Sequence, residues 1–570
     1  MFPIKTTSLI IISNALITPS LRILEEDLTR LAYRSSDEGI STLGNTCQKF
    51  KEKHSELGRL FLTSKMVWFS FLLALMSLII SGLCLGQKPA TKQATAIPKT
   101  WDDQAMMSLQ LPPADRRMSP KLISSDYYYR MPVRPVYKSY PVYRPDREPR
   151  GYFDELKRKE PQIIFDASKF KSEADWTKAG EMVFDAPIDF ESEGTLYSEV
   201  RGMDWFTKNN VLVTSEGVMP NMRYVVREKG KVELGFGACA GCHSRVMPDG
   251  SVIKGAQGNF PDDRAFGYEQ RIREAKAKNK DAILANLRSF IRRSYGAPWI
   301  KDDASARADR MSVSEIASVL EAITPGTCAR QGTSPFYPSA IPDLIGLKDR
   351  KYLDSTGLVR QHNIGDLMRY AALNQGADQL TLYDQFRPAG ELPKPSTRER
   401  YSDEQLYALA LYIYSLKPPA NPNKFDALAK QGYEVFMTEA CDVCHTPPLY
   451  TNNMLTPVAG FKVSKEDRIT DDVLNLPIDT DPNLALDTRR GTGYYKIPSL
   501  KGLWYRGPFE HNGSVATLED WFDPRRLRDD YVPTGFRGYG VTTRAVKGHE
   551  FGLSLTPEER KALIAFLKTL

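Results

Sequence analysis

The chain has 570 residues, 41% hydrophobic and 26% charged, which allows two to four domains with ordinary globular cores. Its net charge of +7 suits an acidic redox partner or a membrane surface without demanding either. The basic residues are spread along the chain and no nucleic-acid-binding motif appears, which argues against that class of partner.

In chain order, residues 1–65 carry no clear role, and one reading is an over-extended start with the true one near Met66. Met66 to Gly86 (MVWFSFLLALMSLIISGLCLG) is uncharged over roughly one membrane span and follows Lys65 and Arg59. It reads as a signal peptide for export or as an uncleaved membrane anchor. Residues 87–160 are rich in Pro, Tyr and Arg. Their closely spaced prolines exclude helix and predict an extended linker, or an arm lying over the folded part.

Globular patterning begins near Pro161. Short strand-like runs, Val211–Val213 and Tyr224–Val226, precede the pair Cys239 and Cys242. A charged helix is predicted from about Tyr268 to Arg293, and another starts at Ser312, which has capping-box spacing to Glu315. The helix from about Asp403 to Leu416 is capped by Ser402 and Gln405 and stopped by Pro418–Pro419. The link Lys417 to Asn423 divides residues 161–420 from 421–570. The second part opens with a helix, Phe425 to Phe436, leading straight to Cys441. It closes with a helix after Thr556–Glu559, another capping box.

Two Cys-x-x-Cys-His motifs carry the chemistry: Cys239, Cys242 and His243, then Cys441, Cys444 and His445. Two thiols add across the vinyl groups of haem while the adjacent histidine ligates iron, and residues three and four apart share one face of a helical turn. A redox dithiol or half of a zinc site would leave the repeated histidine unexplained. The expected cofactors are therefore two covalently bound haem c groups, which places the protein in the periplasm or otherwise outside the cytoplasm and leaves membrane anchorage open. Cys328 has no evident partner. The sixth ligand of each iron comes from His362, His511 or His549, from a methionine such as Met247, Met368 or Met454, or is absent. No histidine lies between His243 and His362, which favours an open iron at His243, with His362 and Arg360 as candidate distal groups.

The run TRRGTGYYKIPSLKGLWYRGPFEHNGSVATLEDWF from Thr488 is similar to a segment of bacterial di-haem cytochrome c peroxidases and their MauG-type relatives. The late Gly548-His549-Glu550-Phe551-Gly552 brings it closer to the di-haem rubber oxygenase group. The resemblance covers Leu406 to Leu570 well and the first haem region loosely. It implies a mainly α fold of two cytochrome c-like haem domains, the first enlarged with loops and short strands. It also implies a six-coordinate second haem with His549 opposite His445, His511 instead ordering the loop between the haems. In one departure from the pattern, no short cytochrome-like helix immediately precedes Cys239. Three functions follow from this: peroxide reduction at an open haem fed through a closed one, oxygenation of an apolar substrate, and pure electron transfer. The implied partners are a small redox protein or quinol-chain donor and a small oxidant, peroxide or dioxygen. Trp504 and Trp521 are candidate aromatic bridges between the domains.

Overall fold

Two helix pairs organise the computed structural model, which describes residues 96–570 apart from Pro477. The segments 1–65 and 66–86, with the expectations placed on them, lie outside the described residues. In the first pair, the Glu173–Asp185 helix, capped by Ser172 and Asp175, packs on the Asp403–Ser415 helix. Gly180 allows the approach: a methyl there would lie 1.9 Å from the Ala408 carbonyl oxygen. In the second, the Ala427–Thr438 helix packs on the closing Pro557–Lys568 helix. Gly432 plays the same part, since its methyl would lie 1.9 Å from the Ala562 carbonyl oxygen. In each pair the Cys-x-x-Cys-His motif falls between the two helices in sequence.

A four-stranded antiparallel sheet separates the first helix from its motif. Its spatial order is Ser139–Tyr143, Val218–Glu228, Lys231–Phe236, Asp189–Glu191. The central hairpin turns at Lys229–Gly230, where Gly230 takes a φ of +88°. One face of the sheet is dry, because Trp205, Met219, Tyr224 and Leu234 form a buried cluster there. The other sheets are two-stranded and short, so the described chain is mainly helical.

The described part of the Pro/Tyr/Arg-rich segment is an arm built into the core, where a free linker was one expectation. Trp101 stacks on Tyr128 with ring centres 4.6 Å apart, both side chains are buried, and the Trp101 indole donates to the Ile123 carbonyl at 2.9 Å. Prolines set the turns, but aromatic burial fixes the path. The single helix expected over 268–293 is two, Asp262–Lys276 and Lys280–Tyr295, because Asn279 caps the second. Residues 96–570 form one compact unit. No helix among the described residues is long and apolar enough to cross a membrane.

Candidate functional site

The second motif sits where the Ala427–Thr438 helix ends. Ala440 takes a left-handed φ of 54° and starts the short turn Cys441–Val443, and the His445 N–H donates to the Cys441 carbonyl at 2.8 Å. That turn carries Cys441, Cys444 and His445 together. His445 is 9% exposed, and its Nδ1 lies 3.2 Å from the Tyr450 carbonyl oxygen. Burial pushes its pKa down to about 4, which keeps the imidazole neutral. With Nδ1–H donated to a carbonyl, Nε2 is left free to bind a metal.

His549 faces His445 across a gap, with ring centres 6.3 Å apart and planes at 51°. Two imidazoles on opposite sides of one iron place their ring centres roughly 6 Å apart, given metal–nitrogen bonds of about 2 Å. Burial first, then the neighbouring His445, push the pKa of His549 down to about 4. Its backbone N–H donates to the Ile478 carbonyl at 2.8 Å, and Trp521 meets its ring edge-on at 5.1 Å. His511 is held differently. Its ring stacks on Tyr495 at 4.2 Å, and Nδ1 lies 2.5 Å from Glu510 Oε2. Burial raises the Glu510 carboxyl, but the His511 contact outweighs it and holds the net pKa below the usual value.

These three histidines line one cavity of about 1490 Å³, counted with its open mouth. Phe436, Leu503, Phe522 and Leu563 make an apolar wall, and Cys441 opens into the same space. Burial holds the Cys441 thiol up to about 11 and the Cys239 thiol up to about 12. Reactive dithiols and zinc thiolates need the opposite shift. Among the described residues, no group of three or more His, Cys, Asp and Glu side chains is placed to hold a metal ion. The apolar wall, the neutral His445 and His549 and the thiol of Cys441 together fit a large, largely apolar group.

The first motif is a single helical turn, Cys239–Cys242, at the foot of the sheet. The His243 N–H donates to the Cys239 carbonyl at 3.0 Å, and Asn221 Nδ2 donates to the Gly241 carbonyl at 3.0 Å. Gly258 lets the next loop close over the turn, since a methyl there would lie 2.1 Å from the Cys242 carbonyl oxygen. Burial pushes His243 down to about 4 with the Pro342 backbone close to the ring, whose buried Nδ1 has no hydrogen-bond partner. Cys328, expected to stand alone, has its thiol against Cys242.

The other sequence candidates are committed elsewhere. The His362 side chain is 70% exposed, with Nδ1 3.5 Å from Asp366 Oδ2. The Arg360 guanidinium is taken up by Asp471 at 2.7 and 3.0 Å and by the Gln110 carbonyl at 3.0 Å. The expected distal roles for Arg360 and His362 find no support in this placement. Met368 is fully buried in an apolar cluster, and Met247 packs beside Ile253 and Ile345. Trp504 packs edge-on against Tyr505 at 5.2 Å. Sequence reasoning missed Arg350, Lys496 and Arg506, which line one end of the cavity, because nothing in a single basic residue signals burial.

No family model matches the chain. It is 28% identical over 158 residues to the cytochrome-c peroxidase IdrP2 of Denitromonas iodatirespirans, covering 25% of this chain and 39% of that protein. The cytochrome-c peroxidase IdrP1 of the same organism is 26% identical over 164 residues, covering 25% of this chain and 40% of that one. The uncharacterized protein y4iJ of Sinorhizobium fredii is 35% identical over 105 residues, 13% of this chain and 18% of its own length. The match thus spans at most two fifths of any of these relatives. Among solved structures, a MauG-like protein associated with microbial copper homeostasis aligns with a TM-score of 0.20 at 16% identity, covering 30% of this chain and 56% of that one. The hydrazine synthase of Kuenenia stuttgartiensis aligns with a TM-score of 0.27 at 15% identity, covering 53% and 92%.

Proposed function

We propose that the chain, similar over a quarter of its length to two cytochrome-c peroxidases, is an exported di-haem c-type oxidoreductase that reduces peroxide. In this reading the two helix pairs are two cytochrome c-like haem domains, bounded near residues 161–420 and 421–570. Cys239, Cys242 and His243 would hold one haem, and Cys441, Cys444 and His445 would hold the other. His549, facing His445, would be the other histidine available to the second group, which would supply electron transfer from a small redox protein or quinol-chain donor. The group held at His243 would supply peroxide reduction, in which hydrogen peroxide takes two electrons and two protons to give two waters. Haem iron supplies the electron storage and the oxygen chemistry.

The chain's residues do the rest. Tyr450 lies by the Nδ1 atom of His445 and orients that ring. Burial keeps the imidazoles of His445 and His243 neutral and ready to ligate. One observation carries the reading: His445 and His549 face each other at 6.3 Å inside a buried cavity beside a Cys-x-x-Cys pair. Supporting the open first site, the described histidines other than His243 are engaged at the second cavity or, for His362, with Asp366.

The test is optical and low-temperature EPR spectroscopy of the purified ferric protein, with and without cyanide. One low-spin iron indifferent to cyanide beside one that responds is expected. In His549→Ala both irons should respond, whereas His511→Ala should leave the low-spin signal in place. Two irons that ignore cyanide even after partial reduction would leave an electron carrier and no enzyme.

A further inference from the structure

The cavity behind His445 is apolar on one side and strongly basic at one end. Arg350, Lys496 and Arg506 all line it, together with two carboxylates, Asp343 and Glu510, the second of which is taken up by His511. Asp343 is already engaged, accepting from the Tyr505 hydroxyl at 2.7 Å and the Ile345 N–H at 3.0 Å. No salt bridge joins Arg350, Lys496 or Arg506 to a carboxylate among the described residues. The Nε atoms of Arg350 and Arg506 are buried without a hydrogen-bond partner. Burial first, then Arg350, Arg506 and Arg330, push the Lys496 amine down to about 7. Three converging, partly buried cations exceed the charge of the nearby Asp343, and a chain keeps such an excess where a ligand supplies the anion.

The ligand must therefore join a broad apolar body, lying against Phe436, Leu503 and Leu563, to negative charge at one edge. We propose that Arg350, Lys496 and Arg506 form the site for the two propionate carboxylates of the haem attached at Cys441 and Cys444. This rests on the di-haem reading above. It fixes the orientation of that haem, since the propionate edge turns toward the segment Ile341–Asp343. Pro342 of that segment also sits beside His243, so the charged edge lies between the two attachment sites. Arg330 acts on both sides, lowering His243 and Lys496 alike. The cations also favour the electron-rich state of the iron, offsetting part of the low potential that two histidine ligands impose.

The experiment uses the purified holoprotein, with haem on each Cys-x-x-Cys peptide verified by mass. At the potential where the wild-type His445 haem is half reduced, Lys496→Met should shift its oxidised-to-reduced ratio about tenfold toward oxidised. Lys496→Arg should restore the ratio, and Arg506→Gln should shift it the same way as Lys496→Met. The resonance Raman propionate-bending bands should move in Lys496→Met and Arg506→Gln. A ratio unchanged within twofold in Lys496→Met and in the Lys496→Met, Arg506→Gln double variant, with both haems attached, overturns the site. So does a change in the wild-type ratio on adding inorganic phosphate, which would mean that the cations serve a soluble anion. Haem missing from the Cys441–Cys444 peptide of the wild type would instead remove the di-haem reading itself, and this inference with it.

Discussion

Arg526 holds the loop that presents His549. It is 2% exposed, and its guanidinium donates to the carbonyls of Trp521 at 2.9 Å, Val546 at 2.6 Å, Gly548 at 2.9 Å and His549 at 2.7 Å. His549 itself is held at a φ of 47°, a conformation costing a side-chain-bearing residue about 1 kcal/mol. A lysine has no planar fork to reach all four carbonyls, so Arg526→Lys leaves buried acceptors unpaired at about 1–3 kcal/mol each. The expected outcome is a loop that releases His549: the low-spin EPR signal of the second haem gives way to a cyanide-responsive one, while the first haem is unchanged. The Cys-x-x-Cys-His residues were legible in sequence because thioether chemistry dictates their spacing, and His549 stood out through its resemblance to a family motif. Arg360 was not legible. Its partner Asp471 lies 111 residues away, and an arginine written in a loop carries no sign of the carboxylate it will meet.

At the scale of elements, two glycines set how closely the paired helices approach. The methyl of Gly432→Ala would meet the Ala562 carbonyl at 1.9 Å and the Phe566 Cβ at 2.8 Å, and backbone cannot swing aside as a side chain can. Gly180→Ala meets the Ala408 carbonyl and the Tyr412 Cβ in the same arrangement. Each substitution should destabilise its own crossing by about 2 kcal/mol or more. Calorimetry should show a lower Tm, and peptide mass analysis should show preferential loss of haem from the Cys-x-x-Cys peptide beside the altered pair. The Ala427–Thr438, Asp403–Ser415 and Pro557–Lys568 helices were legible because their caps and apolar periods agree, and the capping boxes at Ser402 and Thr556 form as written. The Glu173–Asp185 helix was hidden as the counterpart of Ala427–Thr438. Whereas Thr438 leads almost directly to Cys441, the sheet strands from Asp189 to Phe236 intervene before Cys239. The helix lies far from its motif in sequence yet packs on its partner helix in space.

At the scale of the whole molecule, the two motif-bearing regions are joined by a polar seam rather than by apolar contact alone. Arg245 donates to the Gly507 carbonyl at 3.0 Å, and Gln257 donates to the Pro508 carbonyl at 2.9 Å. Further along, Arg489 and Arg490 of the Thr488 run reach back to Asp378 at 3.4 and 3.1 Å, and Arg489 also donates to the Gly296 carbonyl at 2.8 Å. Asp378 is 2% exposed; burial raises its carboxyl, but Arg490 and Arg489 overcome this and hold the pKa below the usual value. A folded-state pKa below the unfolded one means that the unfolded chain binds the proton first. The pair's contribution is therefore fully present above about pH 4 and is lost as pH falls through the depressed folded value. Removing the carboxylate at neutral pH strands two buried guanidinium groups, which costs about 3–5 kcal/mol. Urea denaturation should accordingly show Asp378→Asn weaker than wild type by that amount at pH 7, with the gap narrowing below pH 4 as wild-type Asp378 takes up its proton. A gap independent of pH would mean that Asp378 acts through shape and hydrogen bonding alone. The paired arginines of the Thr488 run would then fasten the seam without electrostatic help.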